Sequence, residues 1–238
     1  MDHELLVKLM REAKNELDTL VSGLTAADRN ALGTPDHWAT KDMIAHLGVW
    51  QNRLVDEMDR LEGGDPLPDW GDLDATNLEI FEQNWHRSWD EVLADTNRFS
   101  EIAIQRTAAL SDDVLNTQVS AGRTFARAIL GNSFMHWIDH LMNWYLEHGD
   151  TVNAERLIQL EVRELETFDP SRAARGVAKY NLACFYAKTH QLEEAVQMLK
   201  EALKLRPDLE EWSREDSDLV NLRCLPDYEA LYLSKKDK

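Results

Sequence analysis

The chain has 238 residues, 43% hydrophobic and 29% charged, which fits one large helical domain or two modest ones and excludes disorder or a fibre as a description of the whole. Twenty-six Lys and Arg against 44 Asp and Glu give a formal charge of −18, a field that repels phosphate backbones and anionic lipid heads, so neither nucleic acid nor a membrane surface is an expected partner. No apolar run approaches the roughly 20 residues of a membrane span, the start Met1-Asp2-His3-Glu4 lacks a secretory pattern, and Cys184 and Cys224 form no CxxC, so a soluble protein of the reducing cytoplasm is expected.

Glycine is scarce, and Leu, Ala, Glu and Arg fill the stretches between breaks, so the expected class is all-α. A first helix is predicted from His3 to Val21, with Leu5, Leu6, Leu9, Ala13, Leu17, Leu20 and Val21 at three- and four-residue steps. A second starts at Thr40 as N-cap, has Asp42 in its first turn, and carries Met43, Leu47, Trp50, Leu54, Met58 and Leu61 inward until the Gly63–Pro68 stretch ends it. A third is read as one long helix from Asp74 to Leu110, and a fourth from Thr124 to Glu147. Four helices of this length and patterning predict a four-helix bundle.

Within this frame His46 falls beside the apolar stripe of the second helix and should point inward. His136 and His140 lie four apart on the fourth helix, on one face, at the spacing that lets two imidazoles share a metal ion. Three neutral imidazoles on a divalent ion leave coordination positions open for water, a thiol or a substrate oxygen. Zn, Ni, Fe and Mn all accept such a set, so the residues do not name the metal. Asp42, one turn before His46, and Asp139, beside His140, are candidates to orient the imidazoles, although Asp42 also suits simple dipole stabilisation. Trp50, Trp85, Trp89, Trp137 and Trp144 are candidates to line an apolar pocket, or else core.

The segment from Trp38 through His46 to Trp50, followed by His136-Trp137-Ile138-Asp139-His140, resembles the DinB-like (YfiT-like) superfamily of four-helix bundles over residues 1 to about 150. That resemblance implies a divalent metal on His46, His136 and His140. It also implies the activities found in the family, which are bacterial stress-related proteins, thiol-dependent transferases and isomerases, and proteins that disarm reactive metabolites. A low-molecular-weight thiol is among the cofactors it implies.

The remainder, residues 151–238, differs in charge. It holds 14 basic and 17 acidic side chains, a net of −3, whereas residues 1–150 hold 12 and 27, a net of −15. Between Gly176 and Leu209 the chain carries the signature of a tetratricopeptide (TPR) repeat, in which small residues let two helices touch. Leu182, Ala183, Tyr186, Ala195, Leu199, Ala202 and Pro207 occupy seven of its eight positions, and Lys179 stands where a large aromatic is usual. One repeat cannot cover its own apolar faces, so a helix over Ala154–Phe168 and a capping segment over Asp216–Leu233, broken at Pro226, are expected to flank it. Tyr145, Gly149 and Ala154 stand at the offsets of Tyr186, His190 and Ala195, as in a degenerate preceding repeat, which predicts a continuous helical stack.

Two further readings stand beside a metal-dependent transferase, isomerase or hydrolase acting on a small electrophile. One is a non-catalytic scaffold that binds a protein partner, or itself, through the repeat region. The other is a resistance protein that sequesters a toxic small molecule.

Overall fold

The computed structural model describes residues 3–120 and 122–233, in two compact units, Met1–Trp144 and Tyr145–Lys238. Among the described residues no helix is long and apolar enough to cross a membrane.

In the first unit α1 (His3–Gly23) buries Leu6, Leu9, Met10, Ala13, Leu17 and Leu20, the stripe its sequence spacing prescribes. The short α2 (Ala26–Asn30) starts on a capping box between Thr25 and Asp28. Next come α3 (Thr40–Gly63), α4 (Leu73–Asn84), α5 (Trp89–Ala109) and α6 (Asp112–Asn116). A two-stranded antiparallel ribbon, β1 (Gln118–Ser120) with β2 (Arg123–Thr124), leads into α7 (Phe125–Leu130), a π-helical segment Gly131–Met135, and α8 (His136–Glu147). The four-helix bundle is present: α5 packs on α1 and α3, and the α7–π–α8 rod closes the ring, with its π segment against both.

Three local features differ from the sequence reading. Ala39, not Thr40, is the N-cap of α3; the Asp42 carboxylate accepts the Ala39 N–H at 3.0 Å, while the Thr40 hydroxyl accepts the Trp144 indole N–H at 2.9 Å. Thr40 is therefore already helical, and a carboxylate two residues on does the capping. The expected long third helix is two helices, interrupted at Trp85–Ser88. Ser88 begins α5 by a capping box with Glu91, and the buried Lys41 ammonium takes the carbonyls of Trp85 (2.7 Å) and Arg87 (2.8 Å) that the break leaves over. The fourth helix keeps its predicted span but carries the π segment directly before His136.

Gly48, two residues after His46, fixes how closely α3 and α5 approach. A Cβ there would stand 2.4 Å from the Thr96 hydroxyl, which itself donates to the Ile44 carbonyl at 2.9 Å.

The second unit comprises α9 (Thr151–Phe168), α10 (Arg172–Lys188), α11 (Leu192–Leu205), a 3-10 turn Pro207–Leu209, α12 (Glu210–Glu215), a 3-10 segment Ser217–Leu222 and α13 (Pro226–Leu233). The hairpin of α10 and α11 closes over Ala183, Ala195, Leu199 and Ala202, each fully buried, with Leu182 buried and Tyr186 partly so. Gly176 admits the return chain, because a Cβ there would meet Arg206 Cγ at 2.4 Å. Lys179, the departure from the repeat pattern, pairs with Glu201 at 2.6 Å. Pro207 opens the 3-10 turn, and Leu219, Leu222, Tyr228 and Tyr232 complete the core.

The turns at 148–150 and 189–191 share one geometry. Gly149 and His190 are both left-handed (φ 76° and 61°), and the N-caps that follow, Asp150 and Gln191, have φ/ψ of −89°/71° and −88°/69°. In each the N-cap N–H returns to a tyrosine carbonyl, Asp150 to Tyr145 and Gln191 to Tyr186. The correspondence noted in the sequence is thus also a correspondence of backbone.

Candidate metal centre

Three side chains from two rods of the bundle converge. His46 comes from the second turn of α3, His136 from the first residue after the π segment, and His140 from one turn further along α8. His136 Nε2 stands 2.9 Å from His46 Nε2 and 3.1 Å from His140 Nε2. Ring centroids are 4.7–4.9 Å apart with the planes steeply inclined, so the rings point at a common centre rather than stack.

In a neutral ring Nε2 carries either an N–H or a lone pair, not both, so His136 Nε2, facing two other Nε2 atoms, cannot satisfy both. Nitrogen donors at about 2.0–2.1 Å from one divalent ion stand roughly 3 Å apart, which is the spacing found here. The donor set suits such an ion in protonation as well. Burial, reinforced by the neighbouring His140, His136 and Arg53 charges, holds His46 down to about 2. Burial and His140 hold His136 down to about 3, against a hydrogen bond to the Asn132 backbone. His140 is lowered by burial, partly offset by the charge of Asp139. All three rings are neutral near pH 7 and present lone pairs.

Supporting residues surround the group. The Asn132 carbonyl accepts the Gln51 amide at 3.0 Å and also engages His136, so it anchors the ring from behind. Ser133 is buried with its hydroxyl on the Ile129 carbonyl. Asp42 spends its carboxylate on the α3 cap, and its pKa is raised by burial against the Ala39 hydrogen bond and the Lys41 charge. Asp139 is exposed and reaches His140 through its charge.

Ring contacts to the histidines come from Trp50, 6.1 Å from His46 and 6.2 Å from His136, and from Trp38, 4.8 Å from His46 and stacked at 6.3 Å on His140. Trp137 is buried and Trp144 half-buried on Thr40; Trp85 is exposed at the helix break and Trp89 half-buried beside Arg29. Trp38 belongs to the sequence motif, but its spacing there assigns it no role. Its position is set by the 31–39 loop, where Thr34 and His37 exchange backbone hydrogen bonds and Gly33 lies so close to the Asp42 cap that no Cβ would fit. Arg53 had no signal of its own beyond sharing the His46 face of the second helix, and Gln51, about 140° round that helix from His46, had none.

A second group, Cys184 with Asp216 and Asp218, also converges, but its atoms are engaged. Tyr180 donates to Asp216 at 2.7 Å, Lys188 pairs with Asp218 at 3.0 Å, and burial pushes the Cys184 thiol well up, away from the thiolate a metal needs.

A family model described as the DinB superfamily matches residues 9–148. No curated protein and no solved structure gives a match.

Proposed function

Because the chain belongs to the DinB superfamily, we propose that its first unit is a divalent-metal-dependent enzyme acting on a small electrophile, with a low-molecular-weight thiol or water as nucleophile. The observation that carries this reading is the convergence of His46, His136 and His140, neutral and within one ion's reach.

A divalent ion bound there supplies Lewis acidity, favouring the deprotonated form of a thiol or water and stabilising negative charge on a substrate oxygen. The protein's own residues do the rest. The π segment shifts the register of the α7–α8 rod just before His136, and Gln51 with the Asn132 carbonyl fixes that ring. Trp38 and Trp50 wall the histidines with apolar surface, which keeps water away from a reactive intermediate and strengthens electrostatic interactions inside.

The reading is tested by thiol addition to a chromogenic aryl halide, following release of the halide. Chelator-treated protein should lose the activity and regain it with one of Zn²⁺, Ni²⁺, Fe²⁺ or Mn²⁺, and His140→Ala should not be rescued. Activity indifferent to chelation would contradict it.

We further propose that the second unit is a tetratricopeptide-type module that contacts a protein partner or a second copy. The shared geometry of the turns at Gly149 and His190 supports two successive helical hairpins of one kind. Sedimentation of the purified chain tests self-association, and co-purification of a stoichiometric partner tests the alternative.

A further inference from the structure

His46, Trp50, Arg53 and Glu57 are spaced by four, three and four residues, so they line one face of α3 leading away from the three-histidine centre. Arg53 lies over two indoles, its guanidinium carbon 5.0 Å from the Trp50 ring centroid and 4.6 Å from that of Trp70. Among the described residues its buried Nη1 has no hydrogen-bond partner, and neither has the buried Trp50 Nε1 beside it. The carboxylate next along this face does not answer Arg53: Glu57 accepts the Trp70 indole N–H at 2.8 Å, and the cation that bears on it is Arg123.

Buried donors without acceptors are costly, and among the described residues no carboxylate pairs with this half-buried guanidinium, which is unusual in a unit as acidic as this one. Two unmet donors, one of them cationic, belong to adjacent side chains on the face that carries a histidine of the centre. Trp50 links Arg53 to the centre, since the ring that Arg53 lies over stands 6.1 Å from that of His46. The ligand that satisfies both donors is an oxyanion, and the flanking indoles favour one attached to a flat or apolar body.

We propose that Arg53 and Trp50 form an oxyanion subsite beside the three-histidine centre, and that the small-molecule substrate is a carboxylate anchored there. The assignment of a substrate rests on the metalloenzyme reading above; the subsite itself does not. Arg53 then positions the substrate relative to the histidines, and its positive charge offsets the acidic field of the unit beside the centre.

Isothermal titration of metal-loaded and chelator-treated protein with benzoate and with benzamide, its neutral counterpart, tests the subsite. Benzoate should bind saturably in both forms and benzamide should not. Arg53→Gln should weaken benzoate roughly ten- to a hundredfold, Arg53→Lys should retain part of the affinity, and metal content should be equal in all three proteins. Benzoate binding unchanged in Arg53→Gln, or lost on chelation yet indifferent to Arg53, would overturn the proposal and leave the metal centre standing. Arg53-dependent benzoate binding in a protein that takes up no metal would instead support the subsite and remove the metalloenzyme reading. Should Arg53→Gln fail to fold, the wild-type comparison still decides, because equal or absent binding of the two probes overturns the subsite.

Discussion

A proton on His46, His136 or His140 must enter a buried site already crowded with imidazole, and this has a consequence for stability. The unfolded chain binds protons on these rings below about pH 6.5, whereas the folded chain holds His46 and His136 neutral down to about 2 and about 3. With more protons bound in the unfolded state, stability falls as pH drops through that window, by up to about 1.4 kcal/mol per pH unit for each ring. Urea denaturation of chelator-treated protein at about pH 7 and about pH 5 should show this loss, and His136→Asn should reduce the slope. The cysteines give a second expectation at this scale. Cys224 is exposed and Cys184 is buried with its thiol pKa pushed up, so native protein should alkylate at Cys224 alone and unfolded protein at both. The histidines were legible in the sequence because spacing on two helices puts them on inward faces. Trp38, Gln51 and Arg53 were not, since their roles depend on a loop folding back, on a carbonyl beside a π segment and on the approach of Trp70.

Among the elements, the long helices follow from apolar residues recurring every three or four positions, as α1 and α3 demonstrate. The interruption at Trp85–Ser88 did not stand out, because strong helix formers lie on both sides and a Ser-x-x-Glu box within a periodic run is a weak local signal. Its decisive partner, Lys41, lies more than 40 residues away. Lys41→Met should remove a charged donor from two part-buried carbonyls and cost about 1.5–3 kcal/mol, measurable by denaturant titration, more than the roughly 1 kcal/mol expected for Ser88→Ala. Gly48→Ala should cost about 1–3 kcal/mol by forcing α5 away from α3 at Thr96, and it should weaken metal retention because His46 lies on the same turn. The π segment had no sequence signature beyond Gly131, and its effect on the aim of His136 is a tertiary property of the rod.

At the level of the whole chain, charge, site and helical architecture divide along the same lines. The acidic unit carries the histidines and Arg53, whose Nη1 has no hydrogen-bond partner among the described residues, while the less acidic unit carries the small-residue hairpin crossings suited to protein contact. Metal that binds only the folded bundle should raise its melting temperature in proportion to the logarithm of free metal concentration, and the His136→Ala variant should show no such shift. The most direct test of the centre is Co²⁺ titration of the untagged, metal-free protein, followed by its visible absorption. Saturation is expected at one Co²⁺ per chain, with a spectrum of nitrogen coordination that disappears in His136→Ala. A wild-type protein that develops no such spectrum, or a variant that develops the same one, would contradict the metal centre.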